Sequence, residues 1–228
     1  MTSNTVLFAL TSHDKLGDTG RHTGAYVPEM AHPAQVFSDA GWDIEFVSVA
    51  GGQPPVDGVK PDDAVTQAFL ADQDVASKLA TTRTADQLNP ADYRVIYFVG
   101  GHGTMWDFPD SAELAQLAAD VYAHGGVVAA VCHGPAGLLG IKNPDGTPLV
   151  AGKTVASFTD EEEAAVGLSD IVPFLLESAL VDLDAKHRKA ANFAEFAVAD
   201  GRLVTGQNPA SAAKVARLAL DVLTANQD

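Results

Sequence analysis

Five apolar residues, Val127-Val-Ala-Ala-Val131, run without a break into Cys132-His-Gly-Pro135, and this junction constrains the fold more than any other stretch. So short and so apolar a run reads as a strand buried on both faces. Two more runs share that character: Val6 to Leu10, and Arg94-Val-Ile-Tyr-Phe-Val99, which ends in Gly-Gly. Between them, Met30, Ala34, Phe37 and Ala40 recur at helical spacing before a stop at Gly41. Leu114, Leu117, Ala118 and Val121 do the same within Pro109 to His124. Strands alternating with helices imply a mostly parallel sheet with helices on both faces, an α/β sandwich.

The rest of the chain fits this plan. Asp43 to Val49 alternates with period two, as a strand does, and two short helices are expected within Asp62 to Ala80. Phe196 to Val198 and Leu203 to Thr205 read as short strands around Asp200-Gly201, and Asn208 to Asn226 as a closing helix with an Asn-Pro start. Asp184 to Asn192 is a connector, and 159–184 is expected as an inserted helical segment. Thr11 to Ala25 is rich in Gly, Asp, His and Thr without periodicity, a loop long enough to suggest a task. With no internal repeat and no break in composition, residues 1–228 are expected to form a single domain, which is an ordinary size for one α/β unit.

Fourteen basic against thirty acidic side chains give a net charge of −16, which argues against nucleic acid and against anionic membrane surfaces as partners. No apolar run approaches the roughly 20 residues that span a bilayer. The start lacks a basic region ahead of its short apolar stretch, so a cytoplasmic protein is expected. One cysteine rules out an intramolecular disulfide framework and a Cys-rich zinc module. His13, His22, His32, His102 and His124 are scattered with no helical pairing, so no metal is expected; His32 and His102 are candidates to line a pocket. No phosphate-binding glycine pattern is present, and no cofactor is expected.

Open parallel sheets bind ligands beyond the carboxyl ends of their strands. At one such end the strand runs into Cys132 and a short helix follows, the layout of a nucleophile elbow, in which Gly134 is expected to make the turn. The N–H groups of that helix would favour thiolate over thiol. At another, Gly100-Gly-His-Gly103 allows close backbone approach, and the N–H groups of Gly101 and His133 are expected to form an oxyanion hole, with Gly100 and His102 near the substrate. Glu29 opens the first helix on the same sheet edge; near a sulfur anion and partly buried, its pKa should rise until it can move protons at neutral pH. The acidic run Asp160-Glu-Glu-Glu163 reads as a helix start, one member of which could orient His133.

Ala129-Ala-Val-Cys-His-Gly-Pro135, Gly100-Gly-His-Gly-Thr104, Phe158-Thr-Asp160 and Asp200-Gly-Arg-Leu-Val-Thr-Gly-Gln-Asn-Pro-Ala-Ser211 together resemble the ThiJ/PfpI superfamily. They are most similar to its heat-shock-protein-31-like branch of glutathione-independent glyoxalases. The resemblance covers residues 5–222 and implies a flavodoxin-like sandwich, a homodimer, and a Cys–His–acid site. Carried over residue by residue, it makes Cys132 the nucleophile, His133 the adjacent histidine, Glu29 the acid on the thiol, and Glu163, with Glu162 as the alternative, the acid that orients His133. The implied activity is conversion of methylglyoxal to lactate through a Cys thiohemiacetal, a detoxification within stress response. Redox sensing or chaperoning with an oxidisable cysteine is the competing reading, and a deglycase or amidase-type hydrolase another. Glutaminases of this fold carry His-x-Glu downstream of the cysteine, whereas here only His187 follows, without that Glu.

Overall fold

The computed structural model describes residues 4–225. Its centre is a six-stranded sheet of β1 (Thr5–Leu10), β2 (Asp43–Ser48), β3 (Val95–Phe98), β4 (Val127–Val131), β5 (Ala197–Asp200) and β6 (Leu203–Gly206). The spatial order is β2-β1-β3-β4-β6-β5, every pairing parallel except the β5–β6 hairpin. The first four strands follow the flavodoxin-like 2-1-3-4 order, whose switch point lies between β1 and β3.

Alternation along each strand sends neighbouring residues to opposite faces, and both faces are apolar. Val6, Phe8, Leu10, Tyr97, Ala129 and Val131 pack under α1 (Pro28–Asp39) and the C-terminal helix, Ala212–Ala225. Phe37 of α1 sits edge-on to Phe8, ring centroids 6.1 Å apart. On the opposite face, Leu7, Ala9, Ile96, Phe98, Val128 and Ala130 meet Leu114, Ala118 and Val121 of the Ala112–Ala123 helix. That helix begins at Ala112 rather than Pro109, because Ser111 closes a turn onto the Phe108 carbonyl.

The two short helices expected after the second strand are Ala64–Ala71 and Gln73–Ala80, started by side-chain caps from Asp63 and Asp72. The inserted segment contains helices Asp160–Ala165 and Leu176–Asp182. The connector after it forms a two-residue strand, Lys186–His187, paired with Thr154–Val155. The closing helix is preceded by a 3₁₀ turn, Pro209–Ser211, and its expected last residue, Asn226, lies outside the described residues.

The 11–25 loop is tied down rather than loose. Asp107 accepts hydrogen bonds from the Thr11 hydroxyl and the Ser12 N–H, and His13 stacks on Trp106 at 5.1 Å. Lys15 and His22 form an antiparallel bridge across it, and Ala25–Tyr26 pairs with Val56–Asp57. The loop therefore forms a fixed wall beside the carboxyl ends of β1 and β3.

Candidate active site

Cys132 follows β4 directly and adopts φ +59°, a left-handed conformation that costs a non-glycine residue on the order of 1–3 kcal/mol. Hydrogen bonds on both sides hold it there: its N–H donates to the Gly206 carbonyl at 3.0 Å, and its carbonyl accepts from the Phe158 N–H at 2.8 Å. The residue expected to make the turn, Gly134, is glycine for another reason. A Cβ at that position would lie 2.2 Å from the Phe98 carbonyl oxygen. Strain is concentrated on the sulfur-bearing residue itself.

Beside the sulfur lies a short hydrogen-bonded relay. His133 Nδ1 is 3.3 Å from Cys132 Sγ, and His133 Nε2 is 2.7 Å from Glu163 Oε2. The other Glu163 oxygen receives His102 Nε2 at 3.0 Å. Burial would raise the Glu163 pKa, but the bonds from His102 and His133 outweigh it and hold the carboxyl at about 2. An ionised carboxylate only accepts, so His133 donates from Nε2 and presents Nδ1 to the sulfur as an acceptor. Burial, reinforced by neighbouring His102, lowers the His133 pKa to about 4, so the imidazole is neutral at pH 7. Glu162 has a different task. It closes a capping box with Thr159 and accepts from the Phe193 N–H, Gln207 and Asn208, which leaves it saturated.

Glu29 completes the cluster from the first turn of α1, where Pro28 sets the helix start. It is fully buried, and that burial lifts its pKa to about 8 against weaker opposing interactions with Cys132 and the Gly100 N–H. The interactions are loose: neither carboxyl oxygen makes a well-formed hydrogen bond within the protein. Gly100 makes room for this acid. A Cβ there would lie 2.2 Å from Glu29 Oε2 and 2.9 Å from Cys132 Cβ, so Gly100 backs the acid and does not line the cavity as expected.

The expected resting thiolate is also corrected. Only a five-residue 3₁₀ segment, Gly134–Leu138, follows the cysteine, and Cys132 is buried against Glu29. Burial first, and Glu29 second, push the thiol well above its ordinary range, outweighing the His133 N–H directed at the sulfur. At rest the sulfur is protonated.

Cys132, His133, Glu29, His102 and Gly101 share one cavity of about 330 Å³. Its remaining wall includes Arg21 and Thr23 from the 11–25 loop, Tyr26, Asp57, Phe158, Leu168 and Phe193. The Phe158 ring lies 4.4 Å from that of His133 and fixes its plane. Gly101 (φ +112°) brings its backbone against Gly24, where a Cβ would clash at 2.1 Å. His32 stays out of the cavity because Asp63 holds its Nε2 at 2.9 Å. The loop residues escaped sequence reading because nothing periodic marks which side chain of an irregular segment faces inward. His102, His133 and Glu163 offer three potential metal-ligand atoms within 4.8 Å of one another, a grouping that sequence spacing could not reveal. In this geometry each is already engaged by hydrogen bonds within the trio.

A thiol, a neutral imidazole oriented by a carboxylate, and a protonated carboxylic acid converge on one small cavity, which equips it for covalent catalysis with proton transfer. Known proteins resemble the chain as a whole. The chain is 35% identical to the glutathione-independent glyoxalase HSP31 of Saccharomyces cerevisiae, covering 98% of this chain and 99% of the relative. The crystal structure of glyoxalase III from Candida albicans superposes with a TM-score of 0.88 at 34% identity, covering 96% of both chains. The rapid encystment protein of Francisella tularensis gives a TM-score of 0.92 at 37% identity, over 96% of this chain and 98% of that one. Residues 24–222 match the DJ-1/PfpI family. With elbow, sheet order and relatives in agreement, this chain belongs to the DJ-1/PfpI family.

Proposed function

We propose that the protein is a glutathione-independent glyoxalase that converts methylglyoxal, or a related 2-oxoaldehyde, into the 2-hydroxy acid. The observation that carries this reading is the pairing of a buried thiol with a carboxylic acid that still holds its proton at neutral pH. Such an acid serves a reaction that must deliver a proton to one carbonyl while a second carbon loses one.

The aldehyde carbon is attacked by Cys132 Sγ as His133 Nδ1 takes the thiol proton; the imidazolium passes that proton to the aldehyde oxygen, leaving a thiohemiacetal. The developing oxyanion is met by the Gly101 and His133 N–H groups. Neutral again, His133 removes the C1 hydrogen as a proton while Glu29 gives its own proton to the C2 oxygen, which produces an enediol. Return of the His133 proton to C2, with Glu29 recovering the C1 hydroxyl proton, gives a thioester of the 2-hydroxy acid. Water, deprotonated by His133, then attacks the thioester carbon and displaces the sulfur, which takes the imidazolium proton and restores the resting thiol. C1 is oxidised as C2 is reduced, so the reaction calls for no external oxidant. Throughout, ionised Glu163 steadies the imidazolium that appears at His133, and His102 holds Glu163 from its other oxygen.

The protein is further proposed to act as a single-domain homodimer in the cytoplasm. Among the described residues no helix is long and apolar enough to cross a membrane. Lactate formation from methylglyoxal without glutathione tests the activity. Wild type should produce lactate, and Cys132→Ala should reduce the rate at least a thousandfold because it removes the nucleophile, roughly as for other covalent enzymes. Lactate formed at the wild-type rate by Cys132→Ala would overturn the scheme.

A further inference from the structure

Buried polar atoms are nearly always hydrogen-bonded, so exceptions point to something. Among the described residues the buried side-chain atoms without a partner are Thr23 Oγ1, both Glu29 carboxyl oxygens and Asp160 Oδ1. The Asp160 atom sits at a helix start, where the other carboxyl oxygen accepts from Ser178. Thr23 and Glu29, however, both line the cavity that contains Cys132.

Thr23 is 3% exposed. A valine would fill the same space without leaving a hydroxyl unsatisfied, so packing does not account for a threonine there. The surrounding backbone is pinned: the Thr23 N–H donates to Asp14 at 3.0 Å, the Ala25 N–H to Pro55 at 2.9 Å, and the Tyr26 N–H to Gly100 at 2.9 Å. The Gly24 carbonyl lies against Gly101. Thr23 is thus bolted to the glycine turn that borders the sulfur, and its hydroxyl is available to a ligand.

Resting on the glyoxalase reading, we infer that the Thr23 hydroxyl is a substrate-binding group that holds the second oxygen of a vicinal dicarbonyl. Once sulfur has bonded to C1, the C2 oxygen is the feature that separates a 2-oxoaldehyde from a simple aldehyde. A carbonyl oxygen has two lone pairs, room for both Thr23 and the proton-bearing Glu29. A hydroxyl suits this task better than an amide nitrogen or ammonium, because it donates to the C2 ketone and then accepts from the C2 hydroxyl of enediol and product. The contact thus persists through the proton transfer and fixes C2 in the plane that the enediol requires.

The test compares Thr23→Val, Thr23→Ala and Thr23→Ser with wild type in two measurements. One is kcat/KM for lactate formation from methylglyoxal; the other is the rate at which methyl methanethiosulfonate modifies Cys132, which needs the thiol and an open pocket but no second substrate oxygen. Thr23→Val and Thr23→Ala should lose about tenfold or more in kcat/KM, the effect of one buried hydrogen bond. Thr23→Ser should retain most of the activity, and all three variants should be modified within about twofold of the wild-type rate. Turnover unaffected in Thr23→Val, or turnover and modification falling together, would overturn the assignment by making the hydroxyl idle or merely structural. Absence of lactate formation by wild type would instead bring down the glyoxalase reading, and this inference with it.

Discussion

Replacing Glu29 with glutamine takes a proton-binding group out of the interior while keeping its shape, and its effect on folding follows from the pKa. The carboxyl titrates at about 8 in the folded chain against an ordinary value of 4.5. Folding therefore takes up a proton across that interval. The native state gains from this group most fully below pH 4.5, and the gain drains away as pH climbs towards 8. Full exclusion from solvent means that no surface screening reduces the effect. With about 1.36 kcal/mol for each unit of pKa difference, wild type should lose about 3–4 kcal/mol relative to Glu29→Gln between pH 5 and pH 8. His133, whose pKa is lowered by burial, works in the opposite direction: its contribution is present above its unfolded value and is lost as pH falls towards 4. To first order it acts in both proteins and cancels in the difference. Urea unfolding of wild type and variant at the two pH values measures that difference directly. Parallel pH dependences would refute the idea that Glu29 is protonated at neutral pH, and with it the proposed proton transfer.

Glu163→Gln keeps an acceptor for one imidazole but removes the charge that stabilises imidazolium, so kcat for lactate formation should fall at least a hundredfold with the fold intact by circular dichroism, a loss typical of general-base catalysis. Gly100→Ala would drive a methyl group into Glu29 and Cys132, with the contact distances given above. It should destabilise the protein by about 1–3 kcal/mol in a urea titration, and a variant as stable as wild type would contradict the packing described.

The sheet was legible in the sequence because buried parallel strands need continuous apolar runs, and Val127 to Val131 is both the clearest run and a complete strand. Cys132, His133 and Glu29 could be gathered at one edge from strand and helix order alone. The choice of Glu163 over Glu162 could not be read that way. Both are buried, and only tertiary partners, Gln207 and Asn208 on one and His102 on the other, divide their tasks. The protonation of the thiol was hidden for a related reason. A cysteine before a short helix suggests an anion, whereas the depth of the cavity and the carboxyl of α1 come from chain far away in sequence. Thr23 was invisible because an unpaired hydroxyl is a property of its surroundings and not of its own segment.

The resting charge state described for the cavity sets a direction for traffic. Thiol, imidazole and Glu29 are all neutral at pH 7, and Glu163 is the ionised member of the cluster. On the glyoxalase reading an uncharged dicarbonyl would enter without meeting an opposing field, whereas the hydroxy acid formed from it would be an anion beside the buried Glu163 carboxylate, in a protein of net charge −16 whose cavity wall carries Asp57 as well as Arg21. Repulsion from Glu163 would then favour release of the product, so turnover would convert an indifferent guest into one that the catalytic end of the pocket disfavours.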